Sequence, residues 1–304
     1  MDTINDIDKS RKEIIDCIHK HGFASEHSFW YFYNQQTYHR KPYFFKFDSG
    51  CSIMSIRFES GVWEMVGEVL APQEKRLEMF EYFLDYALIS KKDKKVFTSV
   101  PESFVDSISN MFKQSTKYRI TKPLLSYTPI FDMEKWDEKL NGRKWKKLRN
   151  IRNKLLRTYD VEILPSNELD KKKLIDIVHR WKKYRNKANK NENPQMYVNF
   201  IKNDFEGTDT ARSLVINGEP CSITAGWSIP NSNNYYSAIG LHNYKYGGLG
   251  EFSNLDDLEQ LKKKKYEYVD FGQSSISLLQ FKKNSGLNPS TKITDFIYQK
   301  YELY

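Results

Sequence analysis

Apolar residues recur along this chain with two spacings, one of two residues and one near 3.6, and the alternation between them occurs twice in the same order. Near the N-terminus Ile14, Ile15 and Ile18 mark one face of a helix that Gly22 closes. An aromatic run, Phe29-Trp30-Tyr31-Phe32-Tyr33, follows. Alternating segments at 42–47, 51–58 and 62–66 predict three strands, with Asp48-Ser49-Gly50 and Ser60-Gly61 as the turns between them. After Pro72 the positions Leu77, Phe80, Leu84, Ala87 and Leu88 predict an amphipathic helix. Residues 96–100 then predict a strand, and 101–112 a helix with Phe104, Ile108 and Met111 inward.

The second half runs through the same order. Basic helices reach to Phe205. Strands are predicted at 212–216, 219–228 and 234–241, with Asn217-Gly218 as a hairpin turn. A glycine-rich turn leads into a helix over 251–264 carrying Phe252, Leu255, Leu258 and Leu261. A strand at 266–271, a helix at 274–283 that Gly286 closes, and a final strand at 293–301 complete the order. The pattern therefore predicts an α/β (α+β) chain of two similar units, 1–130 and 131–304, with the boundary near Phe131. Each unit is expected to be a mixed, largely antiparallel sheet flanked by helices.

Bulk properties narrow the class. The 304 residues suffice for two domains, and 20 Tyr and 19 Phe supply large buried area despite 39% hydrophobic content. No apolar run approaches the roughly 20 residues that span a bilayer, so no transmembrane segment is expected. The polar, acidic N-terminus is unlike a signal or transit peptide. Cys17, Cys51 and Cys221 lie far apart, which predicts no disulfide framework and a cytoplasmic location.

The net charge of +9 is concentrated rather than spread. Residues 143–157 carry Arg143, Lys144, Lys146, Lys147, Arg149, Arg152, Lys154 and Arg157 without one carboxylate. Like charges along one helix repel unless a polyanion approaches. Trp145, Trp181 and Tyr184 lie among this and the next basic run, a mixture that suits nucleic acid or anionic headgroups equally. Arg143, Lys146, Arg149, Arg152 and Trp181 are the candidate contacts. Arg149 and Arg152 are three apart and can meet one phosphate; the alternative is a solvated helix face.

The turn Tyr244-Lys245-Tyr246-Gly247-Gly248-Leu249-Gly250-Glu251 is the strongest chemical signal. A glycine turn before a helix presents free N–H groups and a helix dipole to an anion or to a carbonyl oxygen gaining charge. Lys245, Gly248, Gly250 and Glu251 are candidate donor-binding residues, though the dipole favours a carboxylate such as Glu251 whatever its role. Asp270, before Gly272-Gln273-Ser274-Ser275, can accept a proton or cap a turn. Cys17, His19 and His21 cannot all point to one metal from a single helix, so no metal site is expected. No metalloprotease, P-loop or nucleophile-elbow motif occurs.

Several short motifs, in order and spacing, resemble the tandem-GNAT aminoacyltransferases. They are Phe23-Ala24-Ser25-Glu26-His27-Ser28-Phe29, the segment from Gly142 to Asn150, Trp181, Gly248-Leu249-Gly250-Glu251, Val269-Asp270-Phe271-Gly272 and Phe281-Lys282. That superfamily includes the soluble domain of lysyl-phosphatidylglycerol synthases and the Fem-type transferases. The glycine turn fits the GNAT frame Gln/Arg-x-x-Gly-x-Gly/Ala, with Lys245 in place of the usual first residue. The resemblance implies transfer of an amino acid from aminoacyl-tRNA, as co-substrate, to an amine or hydroxyl acceptor, with no bound cofactor. It implies a site mainly on the second unit and the cleft between units, with Lys282 stabilising the oxyanion. Asp270 is the second catalytic candidate, and Ser274 joins the donor-binding candidates. The first unit has Glu68-Val69-Leu70-Ala71-Pro72 where the glycine turn would stand, and is expected to be scaffold and acceptor wall. The chain departs from the lipid-modifying members in having no membrane-spanning half, although peripheral contact with an anionic membrane remains open. Alternatives are an acyl-coenzyme A N-acyltransferase and a non-catalytic RNA- or membrane-binding module.

Overall fold

The computed structural model describes residues 1–113, 115, 117–120, 124–185, 193–273 and 289–300. The chain opens with β1 (Asp2–Ile4), α1 (Arg11–His21) and α2 (Phe29–Asn34). Gly22 ends α1 by turning into extended backbone, and the Ser28 hydroxyl starts α2 by accepting the Tyr31 N–H at 3.3 Å. Three antiparallel strands follow: β2 (Arg40–Lys46), β3 (Ser52–Phe58) and β4 (Val62–Met65). The helix α3 (Gln73–Leu84) then carries the chain over to β5 (Lys95–Pro101), which lies parallel to β4. A helix-sized crossover is what a parallel neighbour requires. After β5 come α4 (Glu102–Lys113), the short β6 (Tyr118–Ile120) and β7 (Leu124–Asp132).

The second half repeats the plan. The helix α5 (Lys146–Thr158), β8 (Val161–Pro165), α6 (Lys171–Arg185) and α7 (Pro194–Lys202) precede β9 (Thr210–Ile216), β10 (Glu219–Ser228) and β11 (Asn234–His242). Asn217 (φ 51°) and Gly218 (φ 75°) form the left-handed two-residue turn between β9 and β10. The helix α8 (Leu249–Lys263) leads to β12 (Tyr268–Asp270), parallel to β11, and β13 (Pro289–Lys300) is the last described element.

The halves are joined by exchanging strands. β13, from the end of the chain, pairs with β5 of the first half, while β7 pairs with β12 of the second. β7 and β13 then pair antiparallel with each other. The resulting order, β1-β2-β3-β4-β5-β13-β7-β12-β11-β10-β9-β8, reads alike from both ends. The fold is thus mixed α/β, two largely antiparallel units flanked by helices and fused into one sheet.

Both faces of the sheet are covered. On β2 the neighbours Phe44 and Phe45 point to opposite sides: Phe45 packs with Trp63, Phe80 and Phe83, and Phe44 with Ile14, Ile18 and Phe32. In the second half Trp181 and Phe200 cover one face with Ile223 and Trp227, while Leu148, Leu255 and Leu258 cover the other with Val269. Each such side chain, fully buried, contributes roughly 1.5–3 kcal/mol of transfer free energy. Among the described residues, no helix is long and apolar enough to cross a membrane.

Candidate functional site

A cavity of about 750 Å³ opens where the halves meet. Its first-half wall comes from the loop between α1 and α2, from β4 with the residues after it, and from α3 and β5. Its second-half wall comes from the β10–β11 turn and the end of β12, with the exchanged strand β7 of the first half beside them. Four carboxylates, Glu26, Glu64, Glu68 and Asp270, line it with one guanidinium, Arg76.

A hydrogen-bonded loop places the acids. The imidazole of His27 is buried, and its Nδ1 accepts the N–H groups of Phe23 (3.0 Å) and Ala24 (3.1 Å). That leaves the proton on Nε2, which donates to the Glu68 carbonyl at 2.9 Å. Burial pushes the His27 pKa down to about 4, so the ring is a neutral strut at physiological pH. Gly67 (φ 70°) stands against this ring, and a Cβ there would lie 2.6 Å from His27 Cδ2. Only glycine fits that approach in that backbone conformation.

The same loop reaches across to the second half. The Ser25 hydroxyl donates to Asp270 Oδ2, the Gly272 N–H donates to Asp270 Oδ1 at 2.7 Å, and Trp227 Nε1 donates to the Ser25 carbonyl at 2.9 Å. Asp270 therefore closes a turn at the end of β12, and it also lines the cavity.

The electrostatics of the cavity favour a cation. Burial, and next the negative charge of Asp270, raise the Glu26 pKa to about 7. Burial raises Glu68 to about 7 as well, against the opposing pull of Arg76. Glu64 is raised by burial too, and Tyr31 and Tyr236 are held well above the ordinary phenol range by the same cause. Arg76 lies 3.8 Å from Glu68 Oε2, donates from Nε to the Ala71 carbonyl at 3.0 Å, and stacks 3.8 Å above the Phe23 ring. One arginine so engaged does not neutralise four acids. The Oε2 atom of Glu68 is buried with no hydrogen-bond partner, so an ammonium donor entering the cavity would satisfy it.

The glycine turn stands apart from this wall. Gly248 (φ 86°) is the N-cap of α8, and a Cβ there would lie 2.5 Å from Ile151 Cγ2 on α5. A Cβ on Gly250 would meet His242 at 3.3 Å, and Glu251 is 3.8 Å from Lys147 Nζ. Lys245 lines a separate hollow of about 360 Å³ with Lys172, Lys173 and Arg180. Ser274 and Lys282 lie outside the described residues.

The basic residues divide into two groups. Arg143 and Lys146 are exposed. Arg149 Nη1 donates to the carbonyls of Leu140 and Gly142, and Arg152 Nη1 to that of Glu138 at 3.3 Å, so both hold the loop before α5. Trp181 is 4% exposed and packs edge-on against Tyr197 inside the core, so it offers no face to a polyanion. Cys17 Sγ is engaged with Ser52 Oγ at 2.8 Å, and among the described residues no group of three His, Cys, Asp or Glu side chains is arranged to hold a metal.

Sequence reasoning assigned no role to Glu26, Glu64, Glu68 or Arg76. The signal available was weak: an acid inside the Phe23–Phe29 motif, and another directly before an apolar run in the place of a glycine turn.

The sequence profile of the family described as phosphatidylglycerol lysyltransferase, C-terminal, matches residues 18–303. The chain belongs to that family. Solved structures bear out the fold. L-PGS from Bacillus licheniformis superposes with a TM-score of 0.68 at 13% identity, covering 96% of this chain and 92% of that one. FemX superposes at 0.60 with 10% identity over 97% of both chains. A tandem GNAT protein of the clavulanic acid biosynthesis pathway superposes at 0.57 with 10% identity, over 100% of this chain and 99% of that one. No curated protein matches the chain significantly. By family, the chain is a transferase of the aminoacyltransferase kind.

Proposed function

We propose that this member of the family moves an amino acid from aminoacyl-tRNA to an amine or hydroxyl acceptor, in the cavity where its halves meet. The observation that carries the reading is the carboxylate-lined cavity itself: about 750 Å³, open to both halves, with the buried Glu68 oxygen lacking a donor. Its size falls within the range of small-ligand sites, and its charge suits the ammonium of an aminoacyl ester. Exposed cations just before and at the start of α5 support a polyanionic donor, with Arg143 and Lys146 the first contacts. The chemistry needs alignment of ester and nucleophile, and a donor to the oxyanion, which is the role proposed for Lys282. Phosphatidylglycerol enters as an acceptor to test because the family description names it. The second-half glycine turn keeps acyl-coenzyme A as the rival donor.

The deciding experiment incubates the protein with bulk aminoacyl-tRNA, or with acetyl-coenzyme A, and follows donor consumption. Acceptors are deproteinised cell extract and phosphatidylglycerol vesicles in separate arms. Acceptor-dependent consumption of aminoacyl-tRNA is expected. Consumption of acetyl-coenzyme A alone would overturn the donor assignment.

A further inference from the structure

We propose that Glu26, on the first-half loop, is the proton acceptor for the attacking acceptor group, with Asp270 of the second half as the fixed charge beside it. This deepens the proposed function and rests on the transferase reading. The two carboxylates reach one cavity from opposite halves of the molecule, and they differ in how they are held. Both oxygens of Asp270 already accept hydrogen bonds, one from the Ser25 hydroxyl and one from the Gly272 N–H. Ser25 is in turn fixed through its carbonyl by Trp227, so the residue immediately before Glu26 is tied to the second half at two points. Those ties set the position of Glu26 with respect to β12, whatever its own side chain does.

The groups facing Glu26 come from several elements. Asp270 ends β12, Glu64 lies on β4, Glu68 follows β4 and is paired with Arg76 of α3, Tyr31 lies on α2 and Tyr236 on β11. Negative neighbours and burial both favour the protonated form of Glu26, which keeps it near the balance point at neutral pH. A base tuned there removes a proton and returns it with similar ease.

The step balances without any other reactant. The acceptor N–H or O–H gives its proton to Glu26 as its nitrogen or oxygen bonds to the ester carbonyl carbon. The bond from that carbon to the tRNA ribose oxygen then breaks, and Glu26 returns the proton to the departing oxygen. The product is an amide or ester and uncharged tRNA.

The test uses the full chain with bulk aminoacyl-tRNA and two acceptors, deproteinised cell extract and hydroxylamine, the latter largely unprotonated and strongly nucleophilic at neutral pH. With extract, Glu26→Gln is expected to lower turnover about 10²-fold or more, which is the range of general-base catalysis. The half-saturating concentration of aminoacyl-tRNA should stay the same, and the rising limb of the pH–rate profile near neutrality should vanish. Glu26→Asp should recover part of the rate. Hydroxylamine needs little help from a base, so it should bring Glu26→Gln to within a few-fold of wild type. A variant that keeps its rate and pH profile with extract would overturn the assignment. So would an equal loss with both acceptors, which would make Glu26 a positioning residue. If wild type consumes no aminoacyl-tRNA with either acceptor, the transferase reading itself fails and the base falls with it.

Discussion

The same strand–turn–helix connection is built twice in this protein, and the two copies differ in chemistry. In the first half β4 passes through Gly67 and Glu68 into α3; in the second, β11 passes through Lys245 and Gly248 into α8. Each contains a left-handed glycine wedged against a side chain from another element, Gly67 on His27 and Gly248 on Ile151. The first turn presents a buried carboxylate to the cavity between the halves. The second presents a lysine to a separate hollow where four cations outnumber two carboxylates, Asp176 and Glu219. The backbone requirement is shared, so it says nothing about ligand. The residues hung on it decide which anion or cation each turn can meet.

If the likeness of the two turns is physical, breaking either glycine should cost a similar amount. Gly67→Ala and Gly248→Ala each force an L-residue into a left-handed backbone and push a Cβ to 2.6 or 2.5 Å from a neighbour. Each is expected to lose on the order of 2–4 kcal/mol by denaturant unfolding. Gly247→Ala, with open space at its Cβ, should lose under about 1 kcal/mol. A near-neutral Gly248→Ala would mean that α5 yields around the second turn and that the two connections are not equivalent.

The order of elements was legible in the sequence because each has its own hydrophobic period. Strands at 219–228 and 234–241, the first helix and its end at Gly22 all follow from local pattern. The exchange of β7 and β13 was not legible, since pairing between segments far apart leaves no trace in local periodicity. The cavity was hidden for the same reason: its acids come from positions 26, 64, 68 and 270, each unremarkable alone. Charge pattern misled at Trp181, which sits among lysines and arginines yet faces the core. It also gave no sign that Arg149 and Arg152 each direct a donor to loop carbonyls.

A smaller effect separates the acidic turn from the basic one through pH. Glu68 has its folded pKa raised to about 7 from 4.5, so the stability it gives is present below pH 4.5 and is lost as pH rises through 7. Glu68→Gln does not titrate. Its melting temperature should match wild type near pH 4.5 and exceed it at pH 8, by the equivalent of about 1–3 kcal/mol. His27 acts in the opposite sense. Its folded pKa is depressed, so its contribution is present above about 6.5 and lost as pH falls toward 4. Parallel pH curves for Glu68→Gln and wild type would show that the carboxyl is solvated.

The weakest expected effect concerns the basic helix. Arg143→Gln with Lys146→Gln should lower affinity for tRNA modestly and reduce the salt slope by about one for each lost phosphate contact. Arg149→Gln with Arg152→Gln should instead lower the melting temperature, because the loop at 138–142 loses its anchors. If the second pair changes the salt slope and the first does not, the division of α5 is reversed.

The central claim is that the acidic cavity receives an ammonium group. Calorimetric titration with a panel of the twenty amino acid amides and their N-acetyl derivatives tests it most directly. At least one amide should bind with its N-acetyl form about tenfold weaker or more, a difference of about 1.4 kcal/mol. Glu68→Gln should remove most of that difference while the protein stays folded. Equal binding of both forms, or a preference for the amide that survives Glu68→Gln, would contradict the account.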